Sequence, residues 1–449
     1  MTDWSPDSWR RRPATQQARY KDTAALDAAL EKIRSYPPLV TAGEVERLRA
    51  ELSAAAKGRR FLLQGGDCAE KIEDCTSDRI ASKLKILLQM SLVLIYGLNR
   101  PVIRVGRMAG QYAKPRSSSV ERLAGKEIAS YRGDLVNDFE PDERRRMPDP
   151  ARMIQAYQHS ALTLNFIRAL IDGGFADLHH PEYWDMRDFH GTPAEAEYMK
   201  VVGAIQDSIG FLEGLGEIGT DLLDRVEFYT SHEGLHLPYE QAQTRTVPRR
   251  EGYYDLGAHM LWIGERTRSI EGAHVEFFRG VRNPIGVKIG PTCAPEEAVE
   301  LARRLNPNAE PGRIVLITRH GADQVDRYLP PLIRAIRDAK LPVVWCCDPM
   351  HGNVIKTRSG RKTRSFEAIL DELGATIRAH EMAGTILGGV HLELTGERVT
   401  ECIGGALGLT EDDLDESYET FCDPRLNYSQ SLEVALLLAR RLGGEGRIS

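Results

Sequence analysis

The sequence contains about eight short apolar runs, and most of them stop abruptly at a charged residue or a potential metal ligand. In the clearest case, the apolar run that starts at Val343 ends at Asp348 and His351. Continuous apolar runs of this length are typical of strands buried in a parallel sheet. Eight such strands, most followed by a helical pattern, predict a (β/α)8 TIM barrel, in which the residues after each strand face the substrate. The other seven runs begin near Phe61, Pro101, Arg225, Leu261, Pro284, Arg313 and Ile386.

An open, doubly wound sheet is the competing α/β fold. That fold would have fewer strands and one dominant phosphate-binding turn, and no Gly-x-Gly-x-x-Gly motif opens a helix in this sequence. The 449 residues are enough for a barrel of roughly 250 residues with additions. The net charge of −6 argues against a nucleic-acid partner. We also expect a cytoplasmic protein with no membrane partner, because no secretory segment and no apolar run of about 20 residues stands out.

Two additions to a simple barrel are predicted. Residues 1–55 form an N-terminal extension that packs outside the barrel, and residues 56–449 form the catalytic domain. A helical insertion, at about 117–223, follows the second strand. Within it, Asp149 and Pro150 are typical of a helix start, and residues 193–215 read as a second helix.

The segment His232 to His236 matches His-Glu-x-x-His, the signature of zinc peptidases. In those enzymes the two histidines lie on consecutive turns of a helix and share one metal ion. Here the motif follows a strand directly, contains Gly234 and precedes Pro238, all of which disfavour a helix. We therefore expect Glu233 to be a strand-end carboxylate and the two histidines to be ordinary loop residues.

A different candidate metal site draws its residues from separate strand ends. Thiolate, imidazole and carboxylate groups together suit manganese, iron, cobalt or zinc better than calcium or magnesium. Spacing in the sequence does not unite these residues, and each alone is more often structural. Only a barrel, which gathers strand ends around one axis, makes the set plausible. Its members are Cys68, His351, Glu393 and Asp423.

Several cations also follow the apolar runs. Most Arg and Lys side chains are simply solvated, but an unpaired charge at the end of a buried strand would be costly. Their clustering at one barrel mouth would favour a substrate with several negative charges, such as phosphates and carboxylates. The sequence thus predicts a small phosphorylated substrate. The cations are Arg107, Lys114, Arg116, Arg266, Lys288 and Arg319.

At these residues the sequence resembles a known family, the type II (plant-like) 3-deoxy-D-arabino-heptulosonate 7-phosphate (DAHP) synthases. The resemblance covers nearly the whole chain, and its motifs together are highly specific. They are Gln64–Glu70, Arg107–Ser117, Ser130–Asp134, Trp262–Arg268, Gly286–Pro291, Asp348–Asn353, Glu393–Glu397 and Cys422–Asn427.

The resemblance implies a reaction and a role for each candidate residue. The reaction is the condensation of phosphoenolpyruvate with erythrose 4-phosphate at the start of the shikimate pathway. Manganese or cobalt would bind the four metal-ligand candidates and polarise the aldehyde. The resemblance assigns Arg266, Lys288 and Arg319 to the phosphate of phosphoenolpyruvate, Arg107 and Lys114 to its carboxylate, and Arg116 and Ser117 to the phosphate of erythrose 4-phosphate.

Three further expectations concern acid-base chemistry, assembly and regulation. Lys114 is expected to donate a proton, while Glu233 or Glu265 orients water. The resemblance also implies a homo-oligomer, a dimer or tetramer, and feedback inhibition by an aromatic amino acid. Cys422 precedes Asp423, so that it is either a simple buried residue or the partner of Cys68 in a disulfide formed on oxidation. A related 3-deoxy sugar-phosphate synthase acting on another aldehyde, and a catalytically silent barrel, are the alternatives.

Overall fold

The computed structural model describes residues 4–123, 126–175, 193–214 and 226–443. Eight parallel strands close into a barrel in which each strand pairs with the next along the chain. The last strand pairs with the first, with Leu62 opposite Gly389. The predicted TIM barrel is therefore confirmed, and each strand lies where an apolar run predicted it. The strands are β1 Phe61–Gly66, β2 Val102–Arg107, β3 Phe228–Glu233, β4 Met260–Ile263, β5 Ile285–Ile289, β6 Ile314–Thr318, β7 Val343–Cys347 and β8 Leu387–Glu393.

Helices surround this barrel, and short antiparallel ribbons lie in three of the connections. The helices are α1 Thr23–Ser35, α2 Ala42–Ala55, α3 Ser77–Leu98, α4 Ala151–Asp172, α5 Pro193–Gly214, α6 Leu237–Gln243, α7 Ala273–Phe278, α8 Pro295–Leu305, α9 Val325–Asp338, α10 Phe366–Ala383 and α11 Tyr428–Leu442. The ribbons pair Val120–Leu123 with Lys126–Ala129, Thr244–Thr246 with Tyr253–Asp255, and Val354–Lys356 with Lys362–Arg364. We call the last pair the 354–364 ribbon.

Helix α2 closes the amino end of the barrel. Its residues Leu48, Leu52 and Ala55 pack in one buried cluster with alternate residues of the strands, such as Ile103 and Val344. Since successive side chains of a strand point to opposite faces, these strand residues are the ones directed into the barrel. The extension was expected to pack outside the barrel. Its second helix packs against the apolar layer at the amino end of the barrel.

Helix α4 lies within the predicted insertion and begins just after Asp149 and Pro150, the predicted helix start. Asp149 accepts the backbone N–H of Ala151 at 2.9 Å, which fixes the first turn of α4. Met153, Tyr157 and Leu164 then lie buried in one cluster with residues of the N-terminal extension. The predicted second helix is present as α5. Residues 176–192 and 215–225, which include the rest of the predicted insertion, lie outside the described part of the chain.

By length and composition, α3 is apolar enough to cross a membrane. In the sequence, Asp78, Arg79, Lys83 and Lys85 interrupt the first half of this helix, so that no uninterrupted apolar run of about 20 residues marks it. Most of the apolar stretch of α3 is buried inside the protein, where Leu87 and Val93 pack against residues of β8 and α11. A core helix passes the same test of length and composition, so α3 is weak evidence for a membrane span.

Candidate active site at the carboxyl end of the barrel

A cavity of about 340 Å³ opens at the carboxyl end of the barrel. Side chains or backbone from the ends of most of the strands line it, as the fold requires of an active site. Every residue predicted for the site lies on this cavity except Arg116 and Ser117. The predicted residues that line it are Cys68, Arg107, Lys114, Glu233, Glu265, Arg266, Lys288, Arg319, His351, Glu393 and Asp423.

The candidate metal ligands lie together in the cavity. One ligand atom each from Cys68, Glu393 and Asp423 lies within 4.8 Å of the others. His351 is not part of that group of three, but its imidazole lies beside it, with Nε2 3.0 Å from Oε1 of Glu393. One sulfur, one nitrogen and two carboxylates converging in this way fit a transition-metal ion such as Mn²⁺, Co²⁺, Fe²⁺ or Zn²⁺. These residues could therefore hold such an ion.

Local structure fixes the direction of the His351 ring. Its Nδ1 lies 2.7 Å from Oδ2 of Asp348, the first residue after β7. A hydrogen bond at one ring nitrogen sets the tautomer and leaves the other nitrogen free to bind a metal. Asp348 is fully buried and also pairs with Lys288. Burial opposes the charge of Asp348, but His351 and Lys288 outweigh it and hold the pKa of the carboxyl well below its usual value.

Cys68 sits just beyond β1, where the chain turns close to β2. Gly66 has φ +143°, and a Cβ at that position would lie 2.7 Å from the backbone oxygen of Arg107. The close approach of β1 and β2 therefore requires glycine there. Burial raises the pKa of the Cys68 thiol well above its usual value. Metal binding at this sulfur would consequently displace a proton.

Lys114 reaches into the candidate metal cluster. Its Nζ is 2.6 Å from Sγ of Cys68 and 2.6 Å from Oδ2 of Asp423. Burial favours the neutral amine, but Asp423 and Cys68 outweigh burial and raise the pKa of the Lys114 ammonium well above its usual value. Lys114 is therefore protonated at neutral pH and can donate a proton inside the cavity.

The other cations form one wall of the cavity. Arg107 is buried, donates to Glu393 over 2.9 Å and lies 5.0 Å from the Trp262 ring centre. Arg319 donates through an NH2 group to the backbone oxygen of His351 over 2.8 Å, and Arg266 is exposed at the rim. Burial lowers the pKa of Lys288, although Asp348 opposes the shift. This arrangement of positive charge suits a small, multiply charged anion.

The two candidate water-orienting carboxylates differ in their surroundings. Glu265 is already engaged: Thr292 donates to it at 2.8 Å and Arg268 at 3.2 Å. Glu233 is buried, and its Oε1 accepts no hydrogen bond from the described part of the protein. Burial raises the pKa of Glu233. Oε2 of Glu265 likewise accepts no hydrogen bond from the described residues, but its Oε1 is held by two side chains. The raised pKa of Glu233 favours this carboxylate for accepting a proton from water.

Arg116 and Ser117 line a second, neighbouring cavity of about 630 Å³. Residues of the N-terminal extension, including Gln16 and Arg19, form part of its wall. Arg116 pairs there with Glu121 at 2.9 Å. Because Arg116 follows Lys114 by two positions, their Cα atoms are at most about 7 Å apart. Arg116 and Ser117 therefore lie beside the main cavity rather than on its wall.

The His-Glu-x-x-His segment does not form the helix that a zinc peptidase needs. Glu233 ends β3, and α6 begins only at Leu237. His232 lies on β3 rather than in a loop, whereas His236 lies in the short loop before α6 as expected. Both histidines are buried. Nε2 of His232 bonds to Glu240 at 3.0 Å, and Nε2 of His236 lies 3.1 Å from the hydroxyl of Tyr20. Both histidines belong to the packing around the barrel.

Sequence reasoning missed several residues of the cavity. Gln111 donates to the backbone oxygen of Cys68 over 3.3 Å, and Trp262 lies on the floor of the cavity beside Arg107. Both stand inside motifs that carried the family resemblance, which was the available signal. Lys362 donates to Oδ1 of Asp423 over 2.7 Å. It belongs to the 354–364 ribbon, and no pattern in the sequence marked it.

The fold and the cavity define a class of protein: a (β/α)8-barrel enzyme with a candidate metal centre beside a cluster of anion-binding cations. More particularly, the chain belongs to the class-II DAHP synthetase family, whose family model matches residues 4–439. The family predicted from the motifs is thus confirmed.

Three relatives are similar to this chain over nearly their full length, and each is named a phospho-2-dehydro-3-deoxyheptonate aldolase. The protein of Neurospora crassa is 50% identical over 97% of this chain and 94% of its own. That of Streptomyces coelicolor is 47% identical over 96% of each chain. That of Mycolicibacterium smegmatis is 46% identical over 97% of this chain and 94% of its own.

Proposed function

We propose that this chain is a transferase that condenses phosphoenolpyruvate with erythrose 4-phosphate, giving DAHP and inorganic phosphate. This reaction opens the shikimate pathway to the aromatic amino acids. Membership of the class-II DAHP synthetase family and the names of the relatives support it. The main structural support is that a single cavity contains both a group of residues suited to binding a metal ion and several cationic side chains.

Mn²⁺ or Co²⁺ is the proposed cofactor, held by Cys68, His351, Glu393 and Asp423. When bound, the ion would supply Lewis-acid polarisation of the aldehyde oxygen of erythrose 4-phosphate. The mixed donor set supports a transition-metal ion over Mg²⁺ or Ca²⁺, which prefer oxygen ligands only.

Phosphoenolpyruvate is proposed to lie against the cationic wall. Arg266, Lys288 and Arg319 would hold its phosphate, while Arg107 and Lys114 would face its carboxylate. Guanidinium groups can bind phosphate or carboxylate through two parallel hydrogen bonds, which fixes orientation as well as position. Fixing the reacting C3 atom beside the aldehyde would lower the entropic part of the barrier.

Erythrose 4-phosphate is proposed to span the two cavities. Its phosphate would bind Arg116 and Ser117, and its aldehyde would lie beside Lys114 in the main cavity. Lys114 would then give its proton to the aldehyde oxygen as that oxygen becomes a hydroxyl. Glu233 would orient the water that adds to C2 of phosphoenolpyruvate and would take its proton, with Glu265 holding the cations around it.

Release of inorganic phosphate by metal-stripped protein tests the proposal. We expect release only when phosphoenolpyruvate, erythrose 4-phosphate and Mn²⁺ or Co²⁺ are all present. The same assay with arabinose 5-phosphate tests a related 3-deoxy sugar-phosphate synthase, and faster release with that aldehyde would reassign the substrate. If no phosphate is released with either aldehyde and any of the metals, the proposal is overturned and the barrel is catalytically inactive.

Assembly, regulation and location are proposed on the family resemblance. We infer a homo-oligomer, a dimer or tetramer, inhibited by an aromatic amino acid and located in the cytoplasm. Leu162 of α4 and Met199 of α5 are 59% and 49% exposed, which supports a contact surface on these helices. Light scattering would measure the mass, and a monomer would overturn the first inference. Titration with phenylalanine, tyrosine and tryptophan during turnover tests the second.

Oxidation is proposed to inactivate the site by joining Cys68 to Cys422. The two cysteines pack in one cluster with Tyr131, and all the cysteines of the described chain are free. A disulfide would remove the thiolate ligand, so mild oxidation should release the metal and reduction should restore binding. Cys422→Ser should keep its metal under the same treatment. Equal metal loss from that variant and the unaltered protein would contradict the disulfide.

A further inference from the structure

The 354–364 ribbon directs two cations at the candidate metal centre. Its strands pair Val354 with Arg364 and Lys356 with Lys362. Lys362 and Arg364 are two positions apart on one strand, so their side chains lie on the same face. Thr363, between them, points the other way and donates to the backbone oxygen of Glu401 over 2.9 Å. The ribbon thus presents both cations to one side.

Arg364 connects the two segments that carry the carboxylate ligands. It is completely buried, and an NH2 group donates to Oε2 of Glu393 over 2.6 Å. Its other terminal nitrogen donates to the backbone oxygen of Pro424, the residue after Asp423. A single planar guanidinium therefore bonds to the end of β8 and to the turn that holds Asp423. Arg364 does not line the cavity, so its contacts are with ligand residues rather than with substrate.

The two carboxylates share a pattern, in which a ribbon cation holds one oxygen and the other oxygen faces the cluster. Arg364 holds Oε2 of Glu393, while Oε1 lies 3.0 Å from Nε2 of His351 and 2.9 Å from Arg107. Lys362 holds Oδ1 of Asp423 at 2.7 Å, while Oδ2 lies 3.7 Å from Sγ of Cys68. Lys114 also contacts Oδ2 of Asp423, at 2.6 Å, so both cluster-facing oxygens already lie beside cations of the cavity. Each carboxylate is nonetheless oriented with one oxygen toward the shared cluster.

We propose that Arg364 and Lys362 are positioning residues of the metal centre, which fix Glu393 and Asp423 so that each presents one defined oxygen to the ion. Hydrogen bonds from outer residues orient metal ligands, and their loss weakens metal binding without removing any ligand. Arg364 has the larger part because it is buried and joins both ligand segments. This inference rests on the metal centre of the proposed function.

Direct titration of metal-free protein with Mn²⁺, followed by calorimetry, tests the inference. Arg364→Gln should raise the Mn²⁺ dissociation constant about 10- to 100-fold. Arg364→Lys should give an intermediate value, because an ammonium group is a point charge and does not reproduce the fork of a guanidinium. Phosphoenolpyruvate binding to the metal-free proteins, measured separately, should stay within about twofold, since Arg364 does not line the cavity.

Two further variants keep the test decisive if Arg364→Gln does not fold. The Lys362 side chain is 43% exposed, so Lys362→Gln should fold and should weaken Mn²⁺ binding only about threefold. Lys356→Gln is the matched control, because Lys356 pairs with Lys362 across the ribbon but is exposed. It should bind Mn²⁺ as the unaltered protein does.

The outcomes separate this inference from the proposed function. If the unaltered protein binds neither Mn²⁺ nor Co²⁺, the metal centre and the inference both fall. If it binds Mn²⁺ and the folded Arg364 and Lys362 variants bind it equally well, the inference alone is overturned. Unchanged Mn²⁺ binding by Lys362→Gln with a higher KM for erythrose 4-phosphate would make Lys362 a substrate ligand and would remove it from the positioning pair.

Discussion

The two ends of the barrel are built from the same eight strands but from opposite kinds of side chain. At the amino end, Leu62 and Val344 pack with Leu52 of α2 in an apolar layer. At the carboxyl end, Lys288 and Glu393 are almost as deeply buried, yet both are charged groups. Apolar burial stabilises the fold by about 25 cal/mol per Å², whereas burying charges costs free energy unless they are paired. The amino end of the barrel thus mainly stabilises the fold, whereas the carboxyl end holds the charged residues of the candidate active site.

Pairing explains how the carboxyl end tolerates its charges. Glu393 accepts from Arg107 and Arg364, and Lys288 pairs with Asp348. Burial opposes ionisation of Glu393, but His351 and the two arginines outweigh it and hold the pKa of the carboxyl well below its usual value. Removing one member of such a set leaves another buried charge without its partner. The two ends should therefore respond differently to substitution.

The largest expected effect comes from removing a proposed ligand at the carboxyl end. Cys68→Ala should lower kcat/KM on the order of 1000-fold, since the lost Lewis-acid stabilisation is worth several kcal/mol. Thermal unfolding should change little, because the amino-end layer is untouched. Cys75→Ala, a half-buried cysteine outside the cavity, is the control for cysteine loss. Full activity and metal content in Cys68→Ala would remove Cys68 from the metal site.

A substitution at the amino end should have the opposite pattern of effects, a loss of stability without a loss of substrate binding. Leu52 is fully buried between α2 and the strands, and Leu52→Ala should destabilise the protein by about 2–5 kcal/mol. The KM values for both substrates should stay unchanged, because the cavity at the other end keeps its residues. Guanidinium unfolding and steady-state kinetics measure the two quantities. Leu407→Ala, at an exposed position, is the control, and a large change in KM with Leu52→Ala would show that the ends are coupled.

A smaller effect is expected when one cation leaves the wall of the cavity. Arg319→Ala should raise the KM for phosphoenolpyruvate about 10- to 100-fold, as loss of a charged hydrogen bond costs about 1.5–3 kcal/mol. Arg319→Lys should lose less, since the charge remains. Arg334 is exposed on α9, and Arg334→Ala should be neutral. Unchanged kinetics in Arg319→Ala would place phosphoenolpyruvate elsewhere.

The most gradual effect concerns the dependence of stability on pH. Glu372 accepts the backbone N–H of His320 and an N–H of Asn353, both at 2.8 Å, and so ties together the loops after β6 and β7. Burial raises the pKa of Glu372 to about 7 from 4.5. The folded protein therefore binds this proton more tightly than the unfolded chain. The resulting stability is present below about pH 4.5 and is lost as the pH rises through about 7, by at most about 1.4 kcal/mol per pH unit.

The variant Glu372→Gln tests this, because a glutamine side chain does not titrate in this pH range. Its unfolding free energy should fall less steeply between pH 4.5 and 7 than that of the unaltered protein, even if its overall level differs. Denaturant unfolding at several pH values measures both slopes. Identical slopes would mean that Glu372 titrates normally.

The barrel could be predicted because each strand carries its own signal. A buried parallel strand needs an apolar run, and the chemistry of this fold needs a polar residue where the run ends. Cys68, Lys288 and Glu393 were therefore visible as strand ends, and the family motifs joined them into one site. Their proposed roles as ligands and substrate contacts stay predictions.

What the sequence could not predict depends on packing between distant segments. The sequence predicted an N-terminal extension on the barrel, but not that α2 would close the amino end of the barrel. Lys362 and Arg364 stand on a short ribbon where charged residues are usually solvated, so nothing marked their contacts with Asp423 and Glu393. The separation of Arg116 from the main cavity likewise follows from how the N-terminal extension meets the loop after β2.

The closure of β8 onto β1 has a consequence for the protein while it is being made. Cys68 and Asp423 are 355 positions apart in the chain, and translation at about 5–20 residues per second would take roughly 20–70 s to cover that distance. During that interval the Cys68 thiol has already been synthesised, but Glu393 and Asp423, the other half of the proposed ligand set, have not. A prematurely terminated product would thus lack the centre and would be catalytically inert.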